Sequence, residues 1–123
     1  MTTKTTALSS QERLRAQAAL AALNNSSLGE GLEGLPIRMR SQGMVTGLTL
    51  FAKRSPGLAD AVAVYLSTKW GPAPAGLQGA KGLSAFVRAW CELGPDEAAQ
   101  VEAEALAFAE ALKMMAKATG ERG

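Results

Sequence analysis

The sequence predicts an all-α protein, a compact bundle of about five helices with residues 1–123 forming a single all-helical domain. Three observations predict it. Aromatic residues make up only 5% of the chain, and β-branched residues are sparse beside alanine and leucine. No stretch alternates apolar and polar residues over strand length, whereas apolar residues recur at helical spacing. Clusters of Gly, Pro, Asn and Ser then cut that pattern into pieces of helix length.

The first helix is expected to begin near Ser9 after a flexible end at 1–8, because Ser9-Ser10-Gln11-Glu12 fits a capping box. Leu14, Ala18 and Ala21 form one apolar line and Ala16, Leu20 and Leu23 another, so this helix should pack on two neighbours. Asn24-Asn25-Ser26-Ser27 ends it, since these side chains compete for backbone hydrogen bonds. A polar, glycine-rich loop over 24–35 follows.

The second helix is expected from Pro36 to Lys53, with Pro36 pre-set for a first turn. Its buried stripe is Ile37, Met44, Leu48 and Phe51, while Arg38, Gln42, Thr49 and Lys53 share another face. Gly43 and Gly47 leave a shallow strip where another backbone can approach, and each costs roughly 1 kcal/mol of helix propensity. Ser55-Pro56-Gly57 breaks the chain before a third helix, Leu58 to Lys69, which buries Leu58, Ala61, Val62 and Tyr65. A Pro- and Gly-rich loop over 71–79 leads to a fourth helix, Ala80 to Leu93, burying Leu83, Phe86, Val87 and Trp90. Gly94 stops it. Pro95-Asp96-Glu97 opens the fifth helix with acids at the positive end of its dipole. That helix runs to about Thr119 through Val101, Ala105, Phe108, Leu112 and Met115, with Gly120 ending it and 120–123 a flexible end.

Composition narrows the chemistry. Histidine is absent and Cys91 is the single cysteine, so the chain alone builds no His-based triad, no ordinary zinc cage and no internal disulfide. Cys91 has Arg88 nearby but no base to activate it, and reads as a structural thiol. Glu92, Asp96 and Glu97 cluster at a helix junction, where capping explains them better than a metal. No catalytic residue, metal site or cofactor is expected. No apolar run approaches 18 residues and the opening residues lack a signal-peptide core, so a soluble, cytoplasmic protein is expected.

Two glycine strings look phosphate-friendly and fail on context. Gly29-Glu30-Gly31-Leu32-Glu33-Gly34 matches G-x-G-x-x-G, but no strand precedes it and its two glutamates repel a pyrophosphate. Gly76 to Gly82 lacks the Lys-[Ser/Thr] end of a P-loop. A helix-turn-helix reading of the Ser55 turn fails because Leu58 to Tyr65 is core-like where groove contacts are needed.

The net charge of +2 conceals an uneven layout. Residues 34–91 hold Arg38, Arg40, Lys53, Arg54, Lys69, Lys81 and Arg88 against Asp60 alone, a local +6. Residues 92–123 hold seven acids against Lys113, Lys117 and Arg122, a local −4. The seven basic residues are candidate phosphate contacts if their helices bring them onto one surface; scattered solubilising charge is the alternative. The opposite charges also suit copies stacking head to tail. Gly43, Gly47, Glu104 and Leu106 are the candidate subunit contacts, and Leu106 stands on the polar side of its helix.

One segment is distinctive beyond its physics. Leu35-Pro36-Ile37-Arg38-Met39-Arg40-Ser41-Gln42-Gly43-Met44, followed by Leu48-Thr49-Leu50-Phe51, resembles the small helical subunit of type III-B (Cmr) CRISPR RNA-guided effector complexes. Gln11 with Arg15-Ala16, and the closing stretch Glu104 to Lys117, are similar to that family's first and last helices, so the resemblance spans roughly 11–118. Gln42 departs from the family, which favours a smaller polar residue such as Asn there. The resemblance implies a non-catalytic structural subunit that forms a small filament with copies of itself beside the backbone subunits. It implies further partners: CRISPR RNA, target RNA and the large polymerase/cyclase subunit, in antiviral defence. A helical protein–protein adapter without nucleic-acid binding is the rival expectation, resting on exposed apolar residues such as Leu106.

Overall fold

Alanine and leucine dominate helix α1, which runs from Thr3 to Asn25 in a computed structural model that describes residues 3–25, 32–71 and 73–118. The helix is already formed at Thr3, so Ser9 lies inside it and is not its cap. Ala19 and Ala22 are its buried residues; Leu14, Ala18 and Leu23 are half-buried, and Leu20 and Ala21 are exposed. The buried line therefore runs between the two expected ones. Most of the glycine-rich loop, including Gly29 and Gly31, lies outside the described residues, as do Gly120 and the closing end.

A 3-10 turn at Leu32–Gly34 leads into α2, Leu35–Gln42. The single expected second helix is two. Gly43 adopts φ +102° and ψ 159°, and α3, Met44–Arg54, starts beyond it. That positive φ is available to glycine at little cost. The chain turns there so that α3 packs back on α2: a Cβ on Gly47 would lie 2.9 Å from Met39 Cγ and 3.2 Å from the Met39 backbone nitrogen.

Pro56 opens α4, Pro56–Val64, which continues into a π-helical turn, Tyr65–Lys69. Ser67 and Thr68 donate their hydroxyls to the carbonyls of Ala63 and Val64, one turn back. The following loop is more ordered in role than its composition suggests. Trp70 and Leu77 are buried from it, and a 3-10 turn forms at Ala75–Leu77. Helix α5, Gly82–Cys91, has its Leu83 N–H capped by the Asp60 carboxylate at 3.0 Å. Helix α6, Pro95–Ala118, completes the set, and no strand occurs among the described residues.

All six helices pack about one core in which Leu35, Leu48, Leu58, Val62, Phe86, Val101, Phe108 and Leu112 are essentially inaccessible. Helix α6 is its axis, with α1 along one side and α2 on another, while α2, α3, α4 and α5 follow in a row, each against the next. The all-α reading holds, with six helices where five were expected because Gly43 divides one of them. Ile37 departs from its expected place: it is 60% exposed, since the turn at Gly43 breaks the phase that aligned it with Met44 and Leu48.

Candidate functional site

The seven basic residues fall into different settings. Arg38 on α2 and Arg54 at the end of α3 line one shallow depression, whose floor is Leu35, Leu50 and Phe51. On an unbroken helix Arg38 would have shared a face with Lys53. The turn at Gly43 folds α3 back on α2 instead, and Arg54 is the cationic residue that lines the depression with Arg38. Lys53 is exposed on α3 but does not line it.

Arg40 is the exception in charge. Its guanidinium pairs with Glu110 of α6, so its charge is spent across the α2–α6 seam. Arg38, Lys53, Arg54, Lys69, Lys81 and Arg88 are all exposed and carry no ion pair among the described residues. Lys69 ends the π-helical turn and borders a groove between α1 and α4 lined by Ala18, Ala22, Gly57, Ala61 and Val64. Lys81 immediately precedes α5 and Arg88 lies on it, at the far end of the row from α2. The basic set is thus Arg38 and Arg54 on one depression, with separate cations on α3, the π-helical turn and the N-terminal and C-terminal ends of α5.

Three of the four candidate subunit contacts are committed elsewhere. Glu104 is buried, and both its oxygens are taken: Arg15 Nε donates to Oε2 at 2.7 Å and Nη2 to Oε1 at 3.0 Å. The Tyr65 hydroxyl donates to the same Oε2 at 2.5 Å. This carboxylate joins α1, the π-helical turn and α6, and presents nothing to a partner. Gly47 is buried against Met39, so the backbone that approaches it belongs to its own chain. Gly43 is exposed, and its task is the turn between α2 and α3. Leu106 is half-buried against the core and not fully exposed.

Sequence reasoning missed the Arg15–Glu104–Tyr65 cluster, although Glu104 stands in the same helical phase as Val101, Ala105 and Phe108. An acid in a buried stripe needs a cation to pair with, and Arg15, set among alanines, is that cation. The Tyr65 ring stacks on Phe108 with centroids 4.0 Å apart and planes at 8°. Burial pushes the Tyr65 phenol well above its ordinary value, and its hydrogen bond to the Glu104 carboxylate adds to the effect. The same carboxylate raises Arg15 further.

Cys91 is exposed, and Trp90 Nε1 donates to the Ala98 carbonyl at 3.3 Å, tying α5 to α6. Residues 58–63, which a helix-turn-helix would present to a groove, include buried Leu58, Ala59, Val62 and Ala63. Among the described residues no three His, Cys, Asp or Glu side chains gather as a metal site would require, and no helix is long and apolar enough to cross a membrane. Comparison of the chain with known protein families, with curated proteins and with solved structures finds no match. Chemically, the depression is too small to enclose a phosphate, and Arg38 and Arg54 at its rim are exposed cations that a polyanion passing over the surface could meet.

Proposed function

We propose that this chain is a non-catalytic structural subunit of a type III-B CRISPR effector complex, acting in the cytoplasm in antiviral defence. It helps hold the CRISPR RNA–target RNA duplex through phosphate contacts that carry no sequence readout. The single observation that carries the reading is that Arg38 and Arg54, which carry no ion pair among the described residues, line one depression within the 35–54 segment that bears the family resemblance. The buried residues of that segment, Leu35, Met39, Met44, Leu48 and Phe51, build the α2–α3 hairpin; its exposed cations are left to face a polyanion.

A-form duplexes hide their base edges in a deep, narrow groove, so a protein that grips them through backbone phosphates needs cations and a fitting shape. Arginine suits this because its fork meets two phosphate oxygens at once. Lys53 beside Arg54 extends the charge along α3, and Lys69, Lys81 and Arg88 offer weaker, separate contacts. Arg40 is left out because Glu110 neutralises it.

The decisive variant is the double reversal Arg38→Glu with Arg54→Glu, both at exposed positions. Target-RNA capture by the assembled complex is expected to fall about tenfold or more at moderate salt, with helical circular dichroism unchanged. Capture equal to that of the wild type would overturn the assignment of RNA contact to this pair.

A further inference from the structure

The large apolar side chains left most exposed among the described residues are Ile37 and Met114, at 60% and 62%. They belong to neighbouring helices, α2 and α6. Ion pairs across that seam set the register. Glu33 faces Lys113 at 3.9 Å and Lys117 at 3.7 Å, while Arg40 pairs with Glu110. The earlier residue on one side meets the later residues on the other, so α2 and α6 run antiparallel. Ile37, between Glu33 and Arg40, therefore comes level with the α6 turn that carries Met114. One turn below Glu110 on the same face is half-buried Leu106. Ile37 and Met114 make an apolar ridge, framed at both ends by charged pairs, with Leu106 beyond the Arg40–Glu110 pair.

An apolar centre inside a polar rim is the anatomy of a protein contact. The rim also says what sort of surface meets it. Among the described residues Arg40, Lys113 and Lys117 pair with Glu33 and Glu110 alone, one positive charge in excess. Both Lys–Glu33 distances are longer than a hydrogen bond and the Glu33 side chain is 73% exposed, so these lysines re-pair at little cost. RNA would gain nothing from Ile37 and Met114 and would meet two carboxylates. A protein surface with an apolar pocket edged by Asp or Glu fits both the ridge and its charge. Successive helical residues point about 100° apart, so α2 turns Ile37 toward this ridge while Arg38 faces the depression shared with Arg54.

We infer that the α2–α6 ridge of Ile37 and Met114 is a docking surface for a protein subunit that carries an acid-edged apolar pocket, set beside the RNA contact on α2. This rests on the proposed role in a ribonucleoprotein, and the test keeps the two separable. The chain is co-expressed with the remaining effector subunits, a tag is placed on a backbone subunit, and incorporation is scored for each variant. Ile37→Glu with Met114→Glu is expected to lower incorporation at least tenfold, and Lys113→Glu with Lys117→Glu to lower it most at low salt. Gln78→Ala, at an exposed loop position outside both surfaces, should join the complex normally. Should the first pair lose its helical melting transition, Ile37→Ser with Met114→Ser is scored in its place. Failure of the wild type to join would overturn the subunit reading itself. A wild type that joins no better than the Ile37/Met114 variant would overturn the docking surface alone.

Discussion

Tyr65 is the residue on which the interior chemistry turns. Its hydroxyl, the Glu104 carboxylate and the Arg15 guanidinium form a closed set in which every buried oxygen has a donor. A hydrogen bond to a buried carboxylate contributes about 2 kcal/mol, so Tyr65→Phe should lower the melting temperature while keeping the stack on Phe108. The pH dependence has a definite sign. An unfolded chain loses its phenol proton near the ordinary tyrosine value of 10.0, whereas in the fold burial and the neighbouring carboxylate hold that proton to well above it. Between those values the folded state binds more protons, so this contribution is complete below pH 10.0 and is lost as the pH rises beyond it. Tyr65 is the only tyrosine in the chain, so tyrosinate absorbance reads this site alone. Its titration midpoint should lie well above that of the same chain in denaturant. Coincident midpoints would show that the phenol is neither buried nor bonded as described. Wild-type stability should fall above pH 10 more steeply than that of Tyr65→Phe.

The α2–α3 hairpin is the element that most changes what the surface presents, and two glycines make it. Gly43 takes the positive φ that an L side chain resists, and Gly47 removes the Cβ that would press on Met39. Gly43→Ala should cost about 1–2 kcal/mol from the strained backbone alone. Gly47→Ala gains helix propensity but crowds the Met39 backbone, and the crowding should dominate at about 1–2 kcal/mol. Because the clash is with Met39, pairing Gly47→Ala with Met39→Ala should be less destabilising than the sum of the two single changes, read by denaturant midpoints. Simple additivity would mean that the two helices do not meet at this point. The hairpin also shows how far the sequence was legible. Leu48, Phe51, Val62, Phe86, Phe108 and Leu112 were readable as core because their spacing is helical and their neighbours are polar or small. The break was not, since Met44, Leu48 and Phe51 continue the phase of Ile37 as though Gly43 were inside one helix. The cost of a mid-helix glycine was the available signal, and a left-handed glycine ending a helix explains it as well as close packing does. Once the break is missed, Ile37 is assigned to the core and Lys53 replaces Arg54 as the partner of Arg38.

At the scale of the whole molecule, opposite charges in the sequence are partly cancelled by the fold. Glu104 neutralises Arg15, Glu110 takes up Arg40, and Glu33 faces Lys113 and Lys117. From α2 to α5 six exposed cations stay unpaired among the described residues, while the exposed acids Glu92, Asp96, Glu97 and Glu102 stay at the α5–α6 junction and on α6. A charge total cannot reveal this, because it does not say which acids are consumed inside. The consequence is measurable as a counterion effect. Each phosphate neutralised releases about 0.7–0.9 of a counterion, so under the proposed role affinity for RNA should fall with salt at a slope that counts the contacts. Replacing Arg38 and Arg54 by Gln removes two of them and should flatten the log–log salt slope of target-RNA capture by about 1.5. Arg40→Gln should leave the slope unchanged, since Glu110 already holds that charge. A slope that flattens equally for Arg40→Gln would mean that the α2–α6 pair opens on binding, and that RNA contact extends across the face assigned to protein. An unchanged slope for the Arg38/Arg54 variant would move the phosphate contacts to Lys69, Lys81 and Arg88, at the other end of the row of helices.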